Sequence, residues 1–189
     1  QCIEFSEIFF RRVPFSDLGW ASPELAAAML ISQLAFLESR KPGEASVRVF
    51  NPGEAGDGWD CDRTVVELAN DDMPFLVDTG ALTLAELGLG IHLIIHPVIR
   101  VARDANGKLT GLYDKKTQRG SAESMIQFQV DRRTSKTALQ EIEGRLLAAY
   151  RDVHRAVQVE MGVGAHGPAP RPKGSTGRAN RQPYARGGK

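Results

Sequence analysis

The stretch over residues 63–104 constrains the fold most. An apolar, β-branched run over residues 64–68 predicts a strand, and it stops at the polar triplet Asn70-Asp71-Asp72. After Pro74, apolar residues recur at helical spacing as far as Leu87. This order of signals indicates a strand, a tight loop and then a helix.

The end of that helix and the next strand are marked by glycine and by β-branched residues. Gly88 and Gly90 predict the helix end, because a left-handed C-terminal residue costs glycine little. Residues 91–101 are rich in isoleucine and valine, so we expect one long strand there. The centre of the chain is therefore a β-α-β unit.

Two more strands and a second helix follow this unit. Asn106-Gly107 is a strong hairpin signal, so the chain should reverse and pair antiparallel through residues 109–113. Residues 124–131 alternate polar and apolar side chains, which is typical of a strand. From residue 134 or 135 to about 158, apolar residues form a helical stripe.

The core order is thus β-α-β-β-α, and the alternating segment Ser46–Phe50 is a candidate fourth strand. An antiparallel sheet covered by two helices is an α+β, ferredoxin-like arrangement. We expect this domain to span residues 46–158.

An N-terminal helical extension, residues 1–45, should precede the domain. Ser22 and Pro23 are suited to the N-cap and first position of a helix that ends near Lys41. We expect its apolar stripe to pack on the sheet. Phe5, Phe9, Phe10, Phe15 and Trp20 are expected to lie on a neighbouring surface.

The formal charge of +1 conceals an uneven distribution. Six of the 24 Lys and Arg residues lie from Gly162 onward, where there is no acid, which leaves 18 bases against 23 acids before it. That segment is rich in Gly and Pro, so we predict a disordered basic tail over residues 159–189, of native or non-native origin. The missing initial Met leads us to expect a fragment or a processed chain.

Most motifs of catalysis and metal binding are absent from the sequence. It has no phosphate-binding loop, no dinucleotide fingerprint, no G-x-S-x-G and no H-E-x-x-H. His92 and His96 would be roughly 13 Å apart on a strand, too far to share an ion. Cys2 and Cys61 form no zinc pattern, and we expect them to be reduced thiols. No apolar run is long enough to span a bilayer, and no signal peptide is evident.

The polar residues between the first core strand and its helix are the candidate site. Acidic residues at a helix N-terminus cap its free N–H groups and complement its dipole. Alternatively, the loop binds an amino acid, with backbone N–H groups for the carboxylate and aspartates for the ammonium. The candidate ligand-binding residues are Asn70, Asp71, Asp72, Met73, Pro74 and Asp78. The spacing alone leaves both interpretations open.

Several segments of the sequence carry a resemblance to a known family. They are Asn70-Asp71-Asp72-Met73-Pro74-Phe75-Leu76-Val77-Asp78, Ile91-His92-Leu93, Ile95-His96-Pro97-Val98, Arg100-Val101-x-Arg103-Asp104 with Gly107, Arg11-Arg12-Val13-Pro14 and Val47-Arg48-Val49-Phe50-Asn51-Pro52. These segments resemble the amino-terminal, ACT-like region of the large bacterial NAD-specific glutamate dehydrogenases. The resemblance covers about residues 7–158, and its most specific part is the nine-residue motif that begins at Asn70.

The resemblance implies a β-α-β-β-α-β module with a regulatory or assembly role. The parent enzyme would convert glutamate and NAD to 2-oxoglutarate, ammonia and NADH in the cytoplasm. Its catalytic residues and NAD site belong to parts that this chain lacks, so we expect no catalytic residue, metal or cofactor here. The implied partners are the remaining domains of the parent, further copies in a homo-oligomer and an amino-acid effector.

The sequence leaves two other classes of function open. A ferredoxin-like fold with a basic tail can bind single-stranded RNA when aromatics stack bases on an open sheet face. Here only Phe128 is available for stacking, so nucleic acid is an unfavoured partner. A small stand-alone enzyme would need a nucleophile and a base that only the fold could bring together.

Overall fold

The computed structural model describes residues 2–11, 13, 22–38, 40–53, 58–114 and 116–165. The side chains of residues 2–4, 158 and 160–165 are outside this description. The elements, in chain order, are α1 (Cys2–Phe9), α2 (Pro23–Leu37), β1 (Ser46–Phe50), β2 (Thr64–Asp71), α3 (Leu76–Glu86), β3 (Ile91–Ile95), β4 (Val98–Arg103), β5 (Leu109–Tyr113), β6 (Ser121–Val130) and α4 (Lys136–Ala165).

The strands form one antiparallel sheet with β2 and β6 at its centre. The order is β1-β2-β6-β4-β5, and β3 also pairs with β6. Val66 lies opposite Phe128 in the central pair, and Val49 lies opposite Val66 in the outer one. The predicted α+β core is confirmed, and Ser46–Phe50 is its further strand beside β2.

The prediction of a single long strand over residues 91–101 is wrong. The chain breaks at His96-Pro97, and β3 and β4 pair with different halves of β6. Proline has no N–H to donate to a neighbouring strand, and the Pro97 carbonyl instead accepts from Met125 N at 3.0 Å. Two shorter strands therefore follow α3.

Helices α3 and α4 cover one face of the sheet. Their contact with the strands buries Leu68, Ile126 and Phe128 together with Leu84 and Leu146. Tyr150 of α4 is also buried, and its hydroxyl donates to the Leu76 carbonyl at 3.2 Å. Burial raises the pKa of Tyr150 well above its ordinary value. This face has the two covering helices that the sequence predicts.

Helices α1 and α2 cover the opposite face. Phe5 and Phe9 of α1 pack with Met29 and Leu37 of α2 in a cluster that includes Met125 of β6. Ser22 caps α2 by accepting from Leu25 N at 3.2 Å, as its sequence position predicts. The apolar stripe of α2 therefore packs on the sheet, as expected.

The predicted hairpin after β4 is present and contacts the end of α2. Gly107 has a φ of +83°, and its N–H donates to the Asp104 carbonyl at 3.0 Å. Leu109 N donates to the Glu38 carbonyl at 2.9 Å. The β4-β5 turn thus holds the C-terminal end of α2 against the sheet.

Helix α4 ends later than the sequence predicts. It continues to Ala165, so residues 159–165 of the expected disordered tail are helical. The expectations for Phe15, Trp20 and the basic segment over residues 166–189 lie outside the described residues.

Candidate functional site

Asn70 and Asp71 lie in β2, not in the loop, and their side chains therefore point to opposite faces of the sheet. Asn70 is buried on the α4 side, where its Oδ1 lies 2.8 Å from Nε2 of His154. Its Nδ2 donates to the Asp71 carbonyl at 3.0 Å. Asn70 consequently holds α4 to the end of β2.

Asp71 is part of an ion cluster on the α2 side. Its Oδ1 accepts from Nη2 of Arg40 at 2.6 Å, and its Oδ2 accepts from Gly43 N at 2.7 Å. Arg40 lies just after α2, so this pair fixes the segment between α2 and β1. The Asp71 side chain is 37% exposed, whereas that of Arg40 is fully buried.

Glu123 of β6 lies between two arginines in the same cluster. Arg103 binds both of its carboxylate oxygens at 2.8 Å, and Arg40 binds Oε1 at 2.6 Å. Burial alone would raise the pKa of Glu123, but the hydrogen bonds from Arg103 and Arg40 outweigh it and hold the pKa below its ordinary value. Burial likewise opposes the charge of Arg40, yet Glu123 and Asp71 raise its pKa.

Asp72 begins the loop and contacts β6. Its Oδ1 accepts from the buried Ser124 hydroxyl at 2.6 Å, and its N–H donates to the Ala122 carbonyl at 3.0 Å. Nε2 of His96 lies 3.1 Å from Ser124 Oγ. Because the Ser124 hydroxyl donates its hydrogen bond to Asp72, Ser124 is not arranged as a nucleophile that His96 activates as a base.

The rest of the loop leads into α3. Met73 packs partly against the α3–α4 side of the core, and Pro74 is exposed. Phe75 is the N-cap residue, with a φ of +69°, no side-chain cap hydrogen bond and a side chain that is 61% exposed. Asp78 is exposed in the first turn of α3. The interpretation that acidic side chains cap this helix is therefore wrong, because Asp71 and Asp72 are hydrogen bonded elsewhere. Asp78, in the first turn, still complements the helix dipole.

Five of the six predicted residues divide into two groups, and the sixth, Met73, packs partly against the core. Asn70 and Asp71 stabilise the fold through His154 and Arg40. Asp72, Pro74 and Asp78 lie at the surface around the start of α3, where the first-turn N–H groups have no side-chain cap. The side chains of this second group are exposed, whereas those of Asn70 and Asp71 already contact His154 and Arg40.

Sequence reasoning missed Arg40, Glu123 and Phe75. Glu123 is the only ionisable residue of the mostly buried strand β6, and a charged residue at such a position signals a buried partner. The partner itself could not be identified, because Arg40 is 83 residues away. The left-handed conformation of Phe75 had no sequence signal, since glycine or asparagine is usual there.

The two histidines of the 91–101 stretch lie in separate environments. His92 contacts Asp131 Oδ1 at 2.7 Å and Arg63 Nη1 at 3.1 Å, whereas His96 contacts Ser124. Among the described residues, no group of three or more His, Cys, Asp and Glu side chains is placed to hold a metal ion. No helix in the described part of the chain is long and apolar enough to cross a membrane.

Phe128 does not form the exposed stacking surface that an RNA-binding sheet needs. Its ring is 0% exposed, because it lies between the sheet and helices α3 and α4. The opposite face is covered by α1 and α2. Phe128 is therefore not accessible for stacking on a base.

The fold and the loop at the start of α3 define an ACT-like α+β domain. Residues 5–146 match the family described as glutamate dehydrogenase, ACT1 domain, and the chain belongs to that family. It is similar to the NAD-specific glutamate dehydrogenase of Halomonas elongata, with 33% identity over 155 residues. It is also similar to the enzyme of that name from Pseudomonas aeruginosa, with 30% identity over 159 residues.

The two matches cover 81% and 83% of this chain but 10% of each relative. The chain therefore spans about a tenth of the length of the curated relatives it matches. The suspected family is confirmed.

Proposed function

We propose that this chain is a non-catalytic regulatory and assembly module of a cytoplasmic NAD-dependent glutamate dehydrogenase. The parent enzyme converts glutamate, NAD and water to 2-oxoglutarate, ammonia and NADH, with NAD bound outside this module. The names of the two relatives support the parent activity, and the match of the chain to the ACT1 domain alone supports the non-catalytic role.

The module binds an amino-acid effector at the start of α3. The observation that carries this proposal is an uncapped helix N-terminus flanked by the exposed carboxylates of Asp72 and Asp78. The first-turn N–H groups and the positive end of the helix dipole suit the ligand's carboxylate. The two aspartates suit its ammonium group.

The same surface contacts a second copy of the chain or a neighbouring domain. Phe75 and Leu82 lie seven residues apart, on one side of α3, and are 61% and 64% exposed. A left-handed phenylalanine is strained, and such strain is usually found where a residue has a function. A ligand bound between Asp72 and this surface favours one quaternary arrangement if it binds the two arrangements with different affinity.

A thermal-shift and calorimetric screen of the 189-residue chain against the twenty amino acids, 2-oxoglutarate and NAD tests the effector site. We expect one amino acid to raise the melting temperature by mass action. Asp78→Asn and Asp72→Asn should each weaken its binding at least tenfold, while Glu86→Gln, at the far end of α3, should not. Equal affinity in all four proteins would overturn the site.

Asp71→Ala is not a suitable test of binding, although Asp71 was among the predicted ligand residues. Its carboxylate is already bound to Arg40 and Gly43. Removing it would disturb the segment between α2 and β1, so a loss of affinity would not distinguish a binding role from a structural one.

A further inference from the structure

A cavity of about 460 Å³ lies between the segment that precedes β1 and one side of α4. Residues 43–45 form one wall, and Leu147, Arg151, His154 and Arg155 form the other. The residues of the α4 wall follow one another at helical spacing, so they lie on one side of the helix. The cavity is separate from the start of α3, because neither Asp72 nor Asp78 lines it.

The α4 wall concentrates positive charge. Arg151 and Arg155 are exposed and lie four residues apart, a spacing at which like charges on a helix repel each other. Arg151 has no ion-pair or hydrogen-bond partner among the described residues. Arg155 lies 3.5 Å from Asp152, but these side chains are 79% and 76% exposed, and such a pair contributes little in water. Both guanidinium groups are therefore available to an anion.

His154 is the third basic residue of this wall, and Asn70 fixes its position. Asn70 Nδ2 donates to the Asp71 carbonyl at 3.0 Å, which leaves its Oδ1 to accept from His154 Nε2 at 2.8 Å. The other ring nitrogen of His154 has no partner among the described residues. A protonated imidazole donates from both nitrogens, so this ring can also donate to an anion.

The opposite wall is held in place before any ligand binds. Gly43 N donates to Asp71 Oδ2 at 2.7 Å, and the Glu44 carbonyl accepts from Arg40 Nη1 at 2.8 Å. A wall that is already ordered reduces the entropy lost on binding. The exposed Glu44 side chain supplies the one acidic group of the described lining, and its single charge does not cancel those of Arg151 and Arg155.

The cavity also has an apolar part. Ala45 and Leu147 line it, and both pack partly against the α3–α4 side of the core. The volume is within the range of small-molecule sites, about 300–1,000 Å³, and it is larger than a bare phosphate ion needs. A phosphate monoester matches this lining, because its phosphate group carries a charge of about −1.5 to −2 at neutral pH and the guanidinium fork fits phosphate oxygens.

We infer that this cavity binds a small phosphate monoester. Arg151 and Arg155 donate to the phosphate oxygens, and the organic part of the ligand lies against Ala45 and Leu147. A nucleotide and a sugar phosphate share this chemistry. The inference goes beyond the proposed function, because this ligand contacts neither Asp72 nor Asp78.

Calorimetric titration of the full chain with adenosine 5′-monophosphate, glucose 6-phosphate and inorganic phosphate tests the inference. We expect saturable binding of at least one of the two esters, and the ester that binds identifies the source of the phosphate. Inorganic phosphate should bind roughly tenfold more weakly, because it lacks the part that contacts Leu147. Adenosine and glucose, which lack the phosphate, should also bind roughly tenfold more weakly than their esters.

Four variants locate the site. Arg151→Gln and Arg155→Gln should each weaken binding by roughly tenfold, and Arg151→Gln should leave the melting temperature of the free chain unchanged. Glu44→Gln should strengthen binding, because it removes a negative charge from the lining. The matched control is Arg145→Gln: this exposed arginine of α4 lies 3.5 Å from Glu86, does not line the cavity and should not affect affinity.

The inference is overturned if neither ester gives saturable heat, or if Arg151→Gln and Arg155→Gln bind as the parent chain does. Equal losses of affinity in Arg145→Gln and Arg151→Gln would also overturn it, since the anion would then respond to the charge of the whole helix. Asp72→Asn should leave ester binding unchanged. If Asp72→Asn abolishes ester binding and Arg151→Gln does not, the ester occupies the start of α3 and the cavity is rejected as its site.

Discussion

Arg40 and Glu123 form an ion pair of 2.6 Å in which both side chains are 0% exposed, although 83 residues separate them. The pair joins the segment after α2 to β6, and it holds Asp71 and Arg103 in the same cluster. Two arginines face two carboxylates, so the cluster is formally neutral. Its contribution depends on every member being present, because each buried charge needs its partner.

Removing one member of this cluster should be strongly destabilising. Arg40→Met leaves Asp71 without its arginine, and Glu123→Gln leaves two arginines without their shared carboxylate. We expect each variant to lose about 3–5 kcal/mol of the free energy of unfolding. Urea unfolding monitored by circular dichroism measures the loss.

An exposed ion pair provides the control. Lys108 and Glu38 lie 3.7 Å apart, and their side chains are 62% and 60% exposed. Lys108→Gln should change the free energy of unfolding by less than about 1 kcal/mol. Comparable losses for Lys108→Gln and Arg40→Met would contradict the assignment of stability to the buried cluster.

The pH dependence of stability should reflect Glu123. Its folded pKa lies below the ordinary value of 4.5, so its contribution is complete above about pH 5 and is lost as the pH falls through the folded pKa. The unfolded chain then binds a proton that the folded chain excludes. We expect the free energy of unfolding to fall from pH 5 toward pH 3.

Glu123→Gln removes this titration, so its stability should fall less steeply over the same interval. Urea unfolding at half-unit pH steps measures both slopes. Identical slopes for the two proteins would show that other carboxylates cause the acid sensitivity.

The parts of the fold that could be predicted are those with local signals. The succession of β2 and α3, the Asn106-Gly107 hairpin and the Ser22 cap follow from residue types whose effect lies within a few positions. Pro97 itself favours an edge or a bend, but the division into two strands was missed because the β-branched residues on both sides of it favour strand equally. Only the pairing of β3 and β4 with different parts of β6 shows where one strand ends.

The candidate site was predicted less well because its contacts are not local. By its residue types, Asn70-Asp71-Asp72 is typical of a loop, but the pairing of β2 with β6 extends the strand through Asp71. Once Asn70 and Asp71 alternate across the sheet, they meet His154 and Arg40 from distant parts of the chain. No pattern within the triplet could distinguish those partners from a ligand.

Gly80 in α3 should tolerate no larger side chain. A Cβ there would overlap the Tyr150 hydroxyl and would lie 2.7 Å from Phe128 Cζ. Tyr150 cannot move without breaking its hydrogen bond to the Leu76 carbonyl. We expect Gly80→Ala to lower the free energy of unfolding by about 1–3 kcal/mol, despite the higher helix propensity of alanine.

Gly144 in α4 is the matched control, since a Cβ there meets no atom within 4 Å. Gly144→Ala should raise the free energy of unfolding by up to about 1 kcal/mol. Thermal and urea unfolding of the two variants measure the difference. A stabilising Gly80→Ala would show that α3 can shift away from α4 and the sheet.

Alanine substitutions at Gly107 and Gly43 distinguish the cost of backbone strain from the cost of a close contact. Both have a left-handed φ, of +83° and +81°, so alanine at either position costs roughly 1–2 kcal/mol in conformation. At Gly107 a Cβ would also lie 2.5 Å from the Arg40 carbonyl oxygen, whereas at Gly43 it would meet no atom within 4 Å. Gly107→Ala should therefore be the more destabilising substitution by about 1–3 kcal/mol.

The additional destabilisation by Gly107→Ala should depend on the buried cluster of Arg40, Asp71, Arg103 and Glu123. Arg103 donates to the Gly107 carbonyl at 2.9 Å, and the Arg40 N–H donates to the same carbonyl at 3.3 Å. Moving the turn away from Arg40 disturbs both contacts. Gly107→Ala combined with Arg40→Met should cost less than the sum of the two single changes, while Gly43→Ala combined with Glu86→Gln should be additive. Urea unfolding of the single and double variants measures the coupling. Equal losses of the free energy of unfolding in Gly107→Ala and Gly43→Ala would show that the hairpin moves freely over the end of α2.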